Sequence, residues 1–331
     1  MRNGFIALSA LLICAAQATA APKPPGPSLG PKATVIRNTN LYVAPDNTST
    51  RLAEISPGRE MVIGEKNGPW LRVFANTDEE TSKAQDAPVF GGEAAAVPIS
   101  GWVSIAGVVS TETPKGDLIL FGAAAGEEAD ANLPRAPQSV AQAARLLYQR
   151  MADFFPQSPL APEAAWRSAD IRWQLQKADV FSLPSAHEKE AYLRGQIDDE
   201  EMRKLKKNYP HSRWADLADW DMLDNKVCGD WQGSTKCPEK EAEMYEKYAQ
   251  EHPESPRAAE ALYNAVYRHG ALNDMYTSDG DEKKAADAKA RAVTIAGTIA
   301  AKYPQSDYAA RAAGLVYQLQ ESIPIYGTDR Q

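Results

Sequence analysis

Four histidines, three cysteines and two dense carboxylate runs are the residues of this 331-residue chain best suited to chemistry. His187, His211, His252 and His269 do not pair at i, i+4 with one another, nor with a cysteine at metal-ligand spacing, so no zinc site is expected. His252 has a simpler expectation, as a packed or helix-capping side chain. The runs Asp198-Asp199-Glu200-Glu201 and Asp279 to Glu282 could hold a general-acid pair or calcium. Both stand directly before helix-forming sequence, where carboxylates meet the positive end of the helix dipole, and solvated first turns are the expectation. No P-loop, dinucleotide fingerprint, Gly-x-Ser-x-Gly elbow or Ser-x-x-Lys box falls at a strand-to-helix junction. The expectation is a chain that is not an enzyme and carries no metal or cofactor.

Cys228 and Cys237 remain after Cys14 is set aside within the apolar N-terminus. An even count in an exported chain suggests a disulfide, with two free thiols as the alternative. Closing a loop of about 10 residues contributes on the order of 2–3 kcal/mol. The spacing is not that of a reactive dithiol, so a structural role is expected.

Export is read from Arg2, the apolar run Phe5 to Ala16, and Ala18-Thr19-Ala20 before Ala21, which together make residues 1–20 a signal peptide. That run is shorter than the roughly 20 residues a spanning helix needs, and no later segment approaches this length. No integral membrane segment and a periplasmic or secreted address are therefore expected. The net charge of -8 disfavours nucleic acid and anionic membrane, because phosphate neutralisation needs a basic surface, although a local basic patch can sit within an acidic total.

The elements around these residues fall into two kinds. Residues 21–32 form a proline-rich linker. From 33 to 110 the apolar residues come in short β-branched or aromatic runs: Thr34-Val35-Ile36, Leu41-Tyr42-Val43, Met61-Val62-Ile63, Trp70 to Phe74 and Gly101-Trp102-Val103. Turn residues separate them at Ala44-Pro45-Asp46-Asn47, Ser56-Pro57-Gly58 and Lys66-Asn67-Gly68-Pro69. So few short strands favour a small closed or half-closed barrel. A loop at 75–100 is inserted before the last run, and 111–137 is read as a linker. The order Asn40-Leu41-Tyr42-Val43, Pro57-Gly58, Asn67-Gly68-Pro69-Trp70-Leu71-Arg72-Val73 and Gly101-Trp102-Val103 resembles the bacterial SH3 domain. Tyr42-Val43-Ala44-Pro45 stands where that family has an arginine-centred turn.

Beyond Ser139 the period becomes helical, and Pro-x-Ser-x-x-Ala-x-x-Ala occurs four times, starting at Pro156, Pro210, Pro253 and Pro304. Proline ends one helix and the serine caps the next. Phe155, Tyr209, His252 and Tyr303 precede the prolines. Met151, Leu205, Tyr248 and Ile299, with Tyr148, Met202, Tyr245 and Ala296 a turn earlier, share one face. Paired alanines on the second helix allow close approach. The segment 138–321 resembles tetratricopeptide-like repeats, and among exported proteins the outer-membrane assembly and envelope-coordination lipoproteins. Spacings of 54, 43 and 51 residues between prolines exceed the roughly 34 of a regular repeat, which places the excess in loops. Residues 322–331 are a tail.

The fold class expected is α+β multidomain: a small all-β SH3-like barrel followed by an all-α tetratricopeptide-like solenoid. Its function follows from surface. The barrel's Tyr42 and Trp70 offer contact to a peptide or to peptidoglycan, and Tyr148, Tyr192, Arg194, Tyr245 and Lys247 are the candidate groove residues for an envelope protein or peptide. A cell-envelope enzyme accessory or hydrolase is the alternative, and a purely structural barrel packed on the first hairpin is a third reading.

Overall fold

The computed structural model describes residues 30–76 and 99–326. The expected signal peptide, most of the proline-rich linker, residues 77–98 of the inserted loop and residues 327–331 lie outside them. Seven strands form one antiparallel sheet that curls into a half-barrel: Lys32–Val35 (β1), Thr39–Tyr42 (β2), Arg51–Ile55 (β3), Met61–Asn67 (β4), Trp70–Ala75 (β5), Ile99–Ser104 (β6) and Val108–Ser110 (β7). Their spatial order is β3-β2-β6-β5-β4-β1-β7. Alternation sets the faces, because successive strand side chains point to opposite sides. Leu71, Val73 and Ala75 of β5 join Val35, Leu41, Ile55, Met61 and Val103 in the core, while Trp70, Arg72 and Phe74 face outward. Strands β4 and β5 meet at Asn67-Gly68, where Gly68 takes the left-handed conformation such a tight reversal needs. Two strands exceed those expected. β3 carries Arg51 and Glu54 among its five residues, and β7 has only three, so neither shows a long apolar run.

The 111–137 stretch is not a bare linker: it holds a 16-residue helix, Gly116–Ala131 (α1). Eight more helices follow among the described residues: Gln138–Phe154 (α2), Ala161–Phe181 (α3), Glu200–Asn208 (α4), Arg213–Asp221 (α5), Lys236–Glu251 (α6), Ala258–Ser278 (α7), Glu282–Lys302 (α8) and Asp307–Gln320 (α9).

The four proline–serine corners join α2 to α3, α4 to α5, α6 to α7 and α8 to α9. Each first helix stops one residue before Phe155, Tyr209, His252 or Tyr303, and those four residues share φ between -126° and -130° and ψ between 51° and 58°. Each donates its amide to the carbonyl four back, at Met151, Leu205, Tyr248 or Ile299, and accepts from the amide of the serine three on. The serine hydroxyl then accepts from Leu160, Ala215, Arg257 or Tyr308. One local rule thus builds four equal hairpin corners. Where proline follows the serine, at Pro159 and Pro256, the second helix starts two residues beyond that proline instead of on it.

Inside each hairpin the expected large residues of the first helix and the alanines of the second are buried together, as with Met151 against Ala164 and Ile299 against Ala312. The connection between α7 and α8 is only a tight turn around Asp279 to Asp281, with Gly280 at φ 77°. The tail does not trail away at its start. Ile325 is buried against Gly270 of α7, and the amides of Ile325 and Tyr326 both donate to Asp274.

The sheet sits directly on the helices. Gly58, at φ 81°, meets α2 so closely that a Cβ there would lie 2.4 Å from Leu146 Cβ. Arg150 of α2 donates from Nε to the Gly58 carbonyl at 3.0 Å and pairs with Glu60 at 3.6 Å. Val109 of β7 belongs to the same apolar cluster as Leu120, Leu147 and Met151. Apolar contact and a buried guanidinium together fix one unit on the other.

Candidate functional site

Two surfaces collect the side chains that could meet a partner. The first is the outer face of the half-barrel. Tyr42 and Trp70 stand edge to face with ring centroids 5.7 Å apart, a favoured aromatic geometry. Tyr42 lies directly across from Trp102 on β6, and Trp102 from Arg72 on β5. The structure therefore adds Trp102, half-buried, to the two expected residues. In the sequence Gly101-Trp102-Val103 marks a strand and part of the SH3-like order, not a contact residue; strand alternation, which puts Val103 inward and Trp102 outward, is the signal for it.

The second surface runs along the first helices of the hairpins, where three clefts follow one another. A cleft of about 440 Å³ lies between α2 and α4 over α3, with Arg145, Asp153, Ser168, Arg172, Lys204 and Tyr209 on its walls. Its ion pairs are short: Arg145 meets Glu201 at 2.9 Å, and Arg172 meets Glu201 at 3.0 Å and Asp198 at 2.5 Å. Glu201 thus holds two guanidinium groups in place on opposite helices. A second cleft of about 520 Å³ lies on the far side of α4, where Arg203 pairs with Asp199 and Lys206 with Asp219. It shares Gln196, Asn225 and Lys226 with a third, of about 770 Å³, which reaches α6.

The expected groove residues divide sharply. Tyr192, 77% exposed, and Lys247 both line the third cleft, so the structure brings these two together. Tyr148 is fully buried; its hydroxyl donates to Glu128 at 2.7 Å, and burial followed by that carboxylate holds the phenol well above its usual range. Tyr245 is core as well, under the guanidinium of Arg268 at 4.9 Å. These two are not groove residues, because the face they share is the one that packs inside the hairpin. Arg194 is also buried: it donates to the Val227 carbonyl at 2.7 Å and lies over the Phe181 ring, and burial lowers its pKa. Its charge holds two loops together and is not offered to a ligand.

The disulfide is formed. Cys228 and Cys237 are bonded at 2.11 Å with Cα atoms 6.0 Å apart. The buried Glu241 anchors this ring, accepting from the Cys228 amide at 2.9 Å, from Trp231 Nε1 at 3.3 Å and from Arg268 Nε at 3.0 Å. The amides of Gly229 and Asp230 in turn donate to the Glu188 and His187 carbonyls. The ring therefore braces the segment that carries Tyr192.

Two of the histidines have carboxylate partners. His252 has Nδ1 at 2.8 Å from Asp216 and Nε2 at 3.4 Å from Asp219, and His269 has Nε2 at 2.8 Å from Glu246. Asp221, on α5, is pushed up to about 8 by burial and by the nearby Asp170 and Asp224. Among the described residues no three His, Cys, Asp or Glu side chains converge where an ion could sit, and no helix is long and apolar enough to cross a membrane. What the clefts offer is charged side chains, several held in ion pairs, beside a few apolar ones. No family model matches this chain, and no curated protein matches it significantly.

Proposed function

We propose that this chain is a non-catalytic interaction protein of the cell envelope, exported to the periplasm or beyond. In this reading the half-barrel is a bacterial SH3-like unit that engages cell-wall material or a wall-associated peptide. The helices form a tetratricopeptide-like array that holds a protein partner along its first-helix side. The observation that supports it most is the set of four equal corners, which set hairpins side by side so that the first helices leave a row of clefts between them. Stacked hairpins with one open side are the architecture repeat proteins use for binding extended partners. The disulfide agrees with an oxidising compartment.

The wall-binding part is tested by co-sedimentation of the mature chain with purified sacculi. Pelleting that is lost in Trp70→Ala and Tyr42→Ala supports it, and pelleting that ignores both substitutions refutes it. Release of soluble muropeptides by the purified chain would refute the non-catalytic reading.

A further inference from the structure

Gly270 stands in the middle of the 21-residue helix α7, where glycine is a poor helix former. Its missing Cβ makes a seat, because a side-chain carbon there would lie 2.6 Å from Ile325 Cδ1. One turn on, Asp274 Oδ2 accepts from the amide of Ile325 at 2.5 Å and from that of Tyr326 at 2.9 Å. Among the described residues Asp274 forms no ion pair, so its partners are these two consecutive amides. The Tyr326 ring stacks on Trp231 of the disulfide ring, with centroids 5.9 Å apart and 17° between the planes, and its hydroxyl accepts from the Gly233 amide at 3.1 Å. A pocket for an aliphatic side chain, a carboxylate that reads successive backbone amides and an aromatic shelf are the parts of an extended-peptide site. Here the chain's own tail fills them.

The link to that seat is bare. Residues 321–324 are all exposed, and Ser322 takes φ 56°, a left-handed conformation that costs any residue with a Cβ. None of the seat's residues lines the three clefts of the first-helix side. We propose that the seat on α7 and the disulfide ring is a docking site for an extended segment of a partner protein, in which an aliphatic residue is followed by an aromatic one, and that the tail is its built-in competitor. The inference goes beyond the platform reading, since it concerns another face and needs no contact in the clefts. The seated Ile325-Tyr326 pair shows the chemistry that the site takes. A short tether keeps the tail's effective concentration high, so a partner segment enters only where it outbids an occupant already at hand. Four linking residues span at most about 14 Å, so an exchange of tails between two copies would press their arrays together.

The test is fluorescence anisotropy of the full mature chain with a labelled, end-capped peptide, Ser-Ile-Pro-Ile-Tyr-Gly, copied from residues 322–327. The tail is freed in two ways, by Ile325→Asp and by the milder Tyr326→Ala, and each variant is checked by melting. Binding to both freed variants at least about tenfold tighter than to the parent, lost when Asp274→Ala is added and absent for a peptide with Asp in place of its second isoleucine, supports the proposal. No binding to either freed variant while it melts cooperatively, equal binding by freed and parent chains, or indifference to Asp274→Ala overturns it. A mass that doubles with concentration in the parent but not in the freed variants also overturns it, by assigning the seat to a second copy. Because no cleft residue is changed, failure here leaves the platform reading to its own tests.

Discussion

Arg150 reaches out of α2 and places its Nε 3.0 Å from the carbonyl of Gly58, the turn residue of the half-barrel that lies against Leu146. Arg150 is 5% exposed, so this bond is made away from water, where an unmet partner is expensive. Gly58 supplies both the left-handed backbone and the missing side chain that let the two units touch. The half-barrel thus packs on the first hairpin, and this contact leaves Tyr42 and Trp70 on the other face of the sheet.

Gly58→Ala should therefore separate the units. The added methyl meets Leu146 and the positive φ disfavours any Cβ, so the expected loss is about 2–4 kcal/mol. Denaturant unfolding followed by tryptophan fluorescence and by far-UV circular dichroism checks it. The two probes should report one transition in the parent and split in the variant.

The corner chemistry was legible because it is local. A proline that stops a helix, a serine that caps the next and alanines that let helices close need no knowledge of the rest of the chain. Helix α1 was not legible, for a physical reason. Its buried stripe is Gly116, Leu120 and Ala124, two of them small, while Leu118 and Ile119 face solvent, so no 3.6-residue apolar period shows. Arg194 misled in the same way, as a charge expected outside that is buried on a carbonyl. Tyr148 and Tyr245 were already on the packed face by their spacing, and the aromatic ring alone does not say on which side of a hairpin it lies.

Ser255→Ala tests a corner serine. Its hydroxyl meets Tyr248 Oη at 2.7 Å in a buried setting and also accepts from the Arg257 amide. Removing it should cost about 1–3 kcal/mol, more than Ser306→Ala, whose cap is less buried. Equal melting temperatures for the two variants would contradict the repeat-corner account.

Asp221 predicts a pH dependence. Folding raises its pKa from 3.8 to about 8, chiefly through burial, so the folded state holds this proton more tightly than the unfolded state. Its stabilising contribution is complete below about pH 4 and is lost as pH rises through about 8. Asp221→Asn should flatten the stability profile across that window and be more stable than the parent at the alkaline end, by on the order of a few kcal/mol. Parallel profiles would show that Asp221 is not the group responsible.

Cutting the Cys228–Cys237 bond tests the bracing of the third cleft. Cys228→Ser with Cys237→Ser should lower stability by about 2–3 kcal/mol through a looser unfolded state. It should also raise hydrogen exchange at 187–194, because the Gly229 and Asp230 amides hold that segment. Unchanged exchange there would confine the bond's effect to its own ring.

Partners of this chain are predicted to meet its first-helix side. Site-specific photo-cross-linking in cells reads this directly, with the reactive residue placed at Lys204, Tyr192 or Lys247 in the clefts and at Tyr317 or Leu118, both exposed, away from them. Discrete protein adducts from the cleft positions and none from the other two are predicted. Adducts only from Tyr317 and Leu118, or none from any cleft position, would contradict the binding-platform reading.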